Sequence, residues 1–261
     1  MVVGLDKFKE AFADFKDNYV IIGGTACDVV LRDTDMRPRA TDDIDMILVV
    51  EEMTKEYGDA FWKFIKDGEY KASKREKDNG APVYTLYRFT TKKEGYPVKI
   101  EIFSRHSGIL GESSDFHIEP IPLSEDLSSL SAIVMDDDNY ELTITNSVEQ
   151  DGIRIATPTT LICLKARAYL NLLKDRANGK LVNTKDIKKH KTDVLKLIAT
   201  ASIPVPVAVP QSVFNSVMEY AAAIEKELPS RSLQDALERD AESVQAFVDT
   251  LKESFVVNEE T

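Results

Sequence analysis

Three acidic residues stand where acids are uncommon. Asp43 and Asp45 open the run Asp43-Ile44-Asp45-Met46-Ile47-Leu48-Val49-Val50, and Glu101 interrupts the apolar rhythm of Val98-Lys99-Ile100-Glu101-Ile102. Residues two apart on a strand share a face and lie about 7 Å apart. Asp43 and Asp45 can therefore address one ion or a pair of ions while Ile44 and Met46 face the core. The same alternation turns Val98, Ile100 and Ile102 to one side and Glu101 to the other, beside Lys99 and Phe103. Glu101 can then join the first two acids from a neighbouring strand. Carboxylate oxygens suit Mg²⁺ or Mn²⁺, and two such ions about 3.5–4 Å apart clamp the attacking and leaving oxygens of a phosphoryl group. Gly23-Gly24-Thr25 adds the other half of that chemistry. Glycines let phosphates approach the backbone, and a helix that follows them offers unpaired N–H groups and a positive dipole end. Alone, a GG marks a tight turn and a DxD is common in surface loops. Together, with an acid inside a later apolar strand, they are hard to reach by chance, because a carboxylate beside core strands is costly unless paired or metal-bound.

These residues need elements to hold them. Leu5, Phe8, Phe12 and Phe15 recur at helical spacing and predict an amphipathic helix over 5–17. Tyr19 to Ile22 reads as a strand that stops at the glycines, with helix from Thr25 through Leu31. Asp43 to Val50 reads as a buried strand, 57–65 as helix, and 83–90 with 98–104 as an antiparallel hairpin around KKEGYP. The pattern weakens from 108 to 155, where Glu141 to Thr145 suggests β structure and Gly152 a turn into a strand from Ile153 to Ala156. Then Thr157 caps, and Pro158 starts, a strongly helical half. Helices are expected at 184–201, 210–227 and 232–255, the last capped by Ser232, with IPVPVAVP at 203–210 as a stiff linker. The fold expected is α+β: a catalytic domain over 1–156 with a small mixed or antiparallel sheet flanked by helices, then a helical domain over 157–261.

Composition narrows the function. Forty-five acidic against 33 basic residues give a net charge of -12, which repels nucleic acid at long range unless basic residues are concentrated. A nucleotide site survives that objection, since bound Mg²⁺ supplies positive charge at the phosphates. The opening MVVGLDKFKE is too charged for a secretory signal, and no apolar run approaches the roughly 20 residues a membrane span needs. A cytoplasmic protein with no membrane contact is expected. Cys27 and Cys163 have no partner at CxxC spacing and read as core residues.

A GG turn before a helix, a strand with alternating acids and a later strand acid resemble the DNA polymerase beta-type nucleotidyltransferase superfamily. Within it, GGTACDVVLRD followed by RATDDIDMIL is most similar to the AbiEii-type nucleotidyltransferases, known as toxins of toxin–antitoxin and phage-defence systems. The likeness runs roughly from residue 19 to 200. It implies a Mg²⁺- or Mn²⁺-dependent enzyme that moves a nucleoside monophosphate from an NTP to an acceptor hydroxyl. Asp43, Asp45 and Glu101 would be its catalytic metal ligands, and Gly23, Gly24 and Thr25 would hold the β- and γ-phosphates. It also implies that Lys165, in LICLKARA, contacts the triphosphate and that Asp193, in KHKTDV, lines the site. The implied partners are the NTP, an RNA acceptor such as tRNA, and a cognate antitoxin protein. The residues themselves leave the acceptor open among RNA, a protein hydroxyl and a small molecule. They also leave a second reading, a nucleotide-binding regulatory or interaction module with little turnover.

Other residues carry weaker signals. Asp42 should point to the face opposite Asp43. Lys165, taken without the motif, would be a lysine on a solvated helix face. Arg39 could reach a phosphate; His106, His117 and His190 read as ordinary single-hydrogen-bond histidines; and KDIKKHK at 185–191 is either an RNA-facing patch or exposed charge.

Overall fold

The computed structural model describes residues 2–36, 41–72, 85–104, 136–201, 203–228 and 231–258. Arg39, His106, His117, residues 83–84 and most of the 108–155 stretch lie outside them. Seven strands form one mixed sheet: β1 (Tyr19–Ile22), β2 (Asp43–Leu48), β3 (Lys71–Ala72), β4 (Thr85–Thr90), β5 (Lys99–Ser104), β6 (Ser147–Gln150) and β7 (Ile153–Ala156). Their order is β3-β4-β5-β2-β1-β7-β6. β2 runs parallel to β5 and antiparallel to β1, and β1 runs parallel to β7. The hairpins β4–β5 and β6–β7 are antiparallel, and the second turns at Gly152, whose φ of 77° suits a glycine. All four residues of β1 are buried, as a central strand covered on both faces requires.

The helices follow the expected order with three corrections. Helix α1 (Leu5–Ala11) is shorter than the predicted 5–17, because a 3₁₀ turn over Lys16–Asn18 redirects the chain into β1. Phe8 and Phe12 pack edge-on against Tyr19, at ring distances of 5.4 and 6.2 Å, and that aromatic contact needs the helix to end early. Helix α2 (Gly23–Leu31) starts directly at the glycines and α3 (Lys55–Asp67) is capped by Thr54. The β structure expected at Glu141 to Thr145 is instead helix α4 (Asp137–Thr145), started by Asp136, whose side chain accepts from Asn139 N at 3.3 Å. Five alternating residues cannot distinguish a short strand from a helix, and the cap decides.

Beyond β7 the chain is almost wholly helical: α5 (Pro158–Ala177), α6 (Thr184–Thr200), α7 (Gln211–Glu227), α8 (Arg231–Leu237) and α9 (Ala241–Ser254). Thr157 caps α5 as expected, with Pro158 in the first turn. The single helix predicted for 232–255 is broken in two. Glu238 takes a left-handed φ of 54°, and Asp240 starts α9 by accepting from Ser243 N. The expected linker is also partly structured: Val207–Val209 forms β8, which pairs in parallel with β9 (Phe255–Val257). One hydrophobic cluster runs from β1 and β2 into α5, α6 and α7. Helix α2 packs on β2 on one side and on α5 and α6 on the other, so it joins sheet to helices. Cys27 and Cys163 are buried free thiols within that cluster. No helix of the described residues is long and apolar enough to cross a membrane.

Candidate active site

The parallel ladder between β2 and β5 sets the site. Asp43 stands opposite Lys99 and Asp45 opposite Glu101, and residues in register share a face. Two acids from β2 and one from β5 therefore project from the same side of the sheet, with Lys99 between them. On the far flank of β5, Arg88 of β4 is opposite Glu101. On the near flank Ile22, the last residue of β1, is opposite Asp45, which delivers the start of α2 to the carboxylates.

Gly23 fits that junction for a reason the sequence did not reveal. Its φ is 68°, and a Cβ there would lie 2.3 Å from Asp45 Oδ2. The missing side chain thus admits the Asp45 carboxylate itself. Thr25, fully buried, donates its hydroxyl to the backbone carbonyl of Asp43 and ties the first turn of α2 to β2. Gly24 is buried in the same turn. Asp42 is exposed, and its carbonyl accepts from Val98 N at 3.0 Å.

Charge is balanced by three cations. Arg88 Nε donates to Glu101 Oε1 at 2.6 Å, while Lys99 Nζ reaches Glu101 Oε2 and Asp43 Oδ2, each at 3.0 Å. Burial alone would raise the buried Glu101 carboxyl, but Lys99 and Arg88 outweigh it and hold its pKa below the ordinary value. For Lys99 the balance reverses: burial would lower the ammonium, and Glu101, Asp45 and Asp43 together raise it. Among the described residues no cation is in direct contact with Asp45. Burial first, then the adjacent Glu101, push it up to about 7, opposed by Lys99 and by Lys189 of α6.

Whether these residues suit a divalent cation follows from the donor set. Among the described residues no three acidic, histidine or cysteine side chains are arranged ready to enclose a metal ion. Both Glu101 oxygens already accept from cations. The donors are nevertheless all carboxylate oxygens, and an ammonium bridges Asp43 and Glu101, so the chemistry of the position suits a hard cation.

Lys165 and Asp193 are bonded to each other. Lys165, which without the motif would stand on a solvated face of α5, is 1% exposed, and its ammonium meets Asp193 of α6 at 2.7 Å. The pair adjoins Cys27 of α2, whose thiol burial pushes up to about 11 against the opposing pull of Lys165. His190 is buried beside them on α6. The fold therefore brings Gly23, Thr25, Asp43, Asp45 and Glu101 together, and sets Lys165 and Asp193 against the same helix, bonded to each other. Arg88, Lys99 and Lys189 are additional site residues. Lys99 was visible as a same-face neighbour of Glu101. Arg88 depends on the register of a hairpin and has no local signature; Lys189 stands in the basic run 185–191, but its place near Asp45 depends on the docking of α6. Lys189 also lines a groove of about 540 Å³ with Lys185, Lys188 and Asn183.

Among solved structures the chain is similar to a Megavirus polyadenylate synthase, with a TM-score of 0.38 and 10% identity over 85% of this chain and 34% of that one. It is similar too to the JHP933 protein of Helicobacter pylori, with a TM-score of 0.38 and 14% identity over 95% and 88% of the two chains. A candidate nucleotidyltransferase of the same bacterium gives 0.33 and 12% over 95% and 94%. The chain thus spans 34% of the length of the polyadenylate synthase. No family model and no curated protein matches the sequence.

Proposed function

We propose that the protein is a divalent-cation-dependent nucleotidyltransferase that moves a nucleoside monophosphate from an NTP onto an acceptor hydroxyl. The observation that carries this reading is the β2–β5 register: Asp45 opposite Glu101, Asp43 one same-face step away, and the start of α2 against Asp45. Asp43, Asp45 and Glu101 would hold Mg²⁺ or Mn²⁺, whose charge would offset the phosphates and lower the pKa of an acceptor hydroxyl.

The chain's own residues do the remaining work. Gly24 leaves the first turn of α2 open to phosphate oxygens, and the N–H groups and dipole of that turn favour their charge. The bond from Thr25 to the Asp43 carbonyl keeps phosphates and carboxylates at a fixed separation. Lys189 adds positive charge near Asp45. Lys165 and Asp193 enter this reading as a buried pair bracing α2; direct contact between Lys165 and the triphosphate would require the pair to open. RNA is the acceptor we favour. The lysines of the α6 groove support it, and so does the motif resemblance, which also suggests a toxin with a cognate antitoxin.

The test is incubation of the purified protein with each α-phosphate-labelled NTP, Mg²⁺ and total cellular RNA, with Asp43→Ala in parallel. Label on RNA with the unaltered protein alone is the expected result. Label on protein would redirect the acceptor, and transfer by Asp43→Ala would sink the assignment. One observation favours a second reading, a nucleotide-binding module with little turnover: both oxygens of Glu101 are engaged by Arg88 and Lys99. That reading predicts NTP binding without release of pyrophosphate.

A further inference from the structure

We infer that Lys99 is a tethered cation that competes with the divalent ion for the space between Asp43 and Glu101, so that metal binding and release of Lys99 are a single exchange. The inference rests on the reading of these carboxylates as metal ligands. Its basis is positional. The Lys99 ammonium sits 3.0 Å from an oxygen of each acid, spanning two neighbouring strands. Lys99 is opposite Asp43 in the ladder and one same-face step from Glu101, so its stem emerges within the cluster.

The two cations on Glu101 are not equivalent. Arg88 binds Oε1 at 2.6 Å through a planar guanidinium that holds its geometry. Lys99 binds Oε2 at 3.0 Å through a flexible stem; the two side chains are similarly exposed, 27% for Lys99 and 29% for Arg88, so the freedom of the stem and the longer contact, not access to solvent, make Lys99 the one that leaves. When Lys99 leaves, Arg88 remains and Glu101 keeps a partner.

Charge makes the exchange compulsory. The three carboxylates already face Arg88 and Lys99, with Lys189 near Asp45, so a doubly charged ion gains little unless one of those cations withdraws. An ion bound beside an ammonium that stayed would meet like charge at contact distance. The phosphates of a nucleotide would give the released ammonium a new partner. Metal affinity should therefore be weak in the free protein and should rise with nucleotide bound.

The experiment measures Mn²⁺ binding to the full chain by the EPR signal of free Mn²⁺, without nucleotide, for wild type, Lys99→Met, Lys99→Arg and Asp43→Asn. Lys99→Met should bind Mn²⁺ roughly tenfold tighter than wild type, and Lys99→Arg no tighter. The thermal midpoint of Lys99→Met should fall in chelator and recover with Mn²⁺. A second measurement needs no variant: reductive methylation of Lys99, read by mass spectrometry, should rise when Mn²⁺ is added to the unaltered protein. Equal Mn²⁺ affinity in wild type and Lys99→Met, or unchanged labelling, overturns the exchange while leaving the metal site standing. Failure of both proteins to bind Mn²⁺ above the Asp43→Asn background overturns the metal-site reading and the exchange with it.

Discussion

At Asp45 and Gly23 two residues constrain each other, and each can be altered to show how. Asp45 is held up to about 7 by burial and by Glu101, so it resists ionisation in the folded chain. A carboxyl with a raised folded pKa lowers stability as pH climbs. The penalty is absent below about pH 4, grows as the unfolded chain ionises first, and is complete above about 7. Asp45→Asn removes it, so the variant should be more stable than the parent at pH 8 and equal to it at pH 3.5. Urea melts at the two pH values measure this, and the same variant should lose nucleotidyl transfer. Gly23→Ala should act in the opposite direction. Its Cβ would collide with Asp45 Oδ2 and would need a left-handed backbone. A loss of about 1–3 kcal/mol in a urea melt is expected, together with loss of transfer. Normal stability in Gly23→Ala would mean that Asp45 can move aside freely.

The helix and strand boundaries show where local chemistry governs. Thr157 accepts from Thr160 N at 3.4 Å and Pro158 follows it, which fixes the start of α5, the longest helix among the described residues. Thr157→Ala should cost about 1 kcal/mol in a denaturant melt, with no effect on nucleotide binding. Both residues were readable from the sequence because a cap acts over four residues. The break between α8 and α9 was not. The apolar rhythm of Leu233, Leu237, Val244 and Phe247 suits one continuous helix, yet the chain turns at Glu238 so that both short helices can reach the core. Strand β8 likewise exists only because β9, far along the chain, returns beside it.

For the molecule as a whole, the Lys165–Asp193 pair is the connection to test. It links α5 to α6 next to α2, the helix that opens with the glycine turn. Removing one partner strands a charge in the interior, so Lys165→Met should cost about 3–5 kcal/mol. The double variant Lys165→Met with Asp193→Leu should lose less than the two single losses added together. Additive losses in urea melts would mean that the two groups do not act as a unit.

The sequence alone determined the acidic pair on one strand, the third acid on another, the glycine turn and the strand–helix order around them. Each of these depends on neighbours within a few residues, through strand alternation, capping or turn chemistry. Only the tertiary structure decided that Asp45 and Glu101 are in register, that Gly23 makes room for Asp45, and that Arg88 and Lys99 hold Glu101. It also decided that Lys165 is buried against Asp193 rather than solvated. Those outcomes depend on which strand lies beside which and where α6 docks. Strand pairing and helix docking join residues far apart in the chain, and no local pattern encodes the partner.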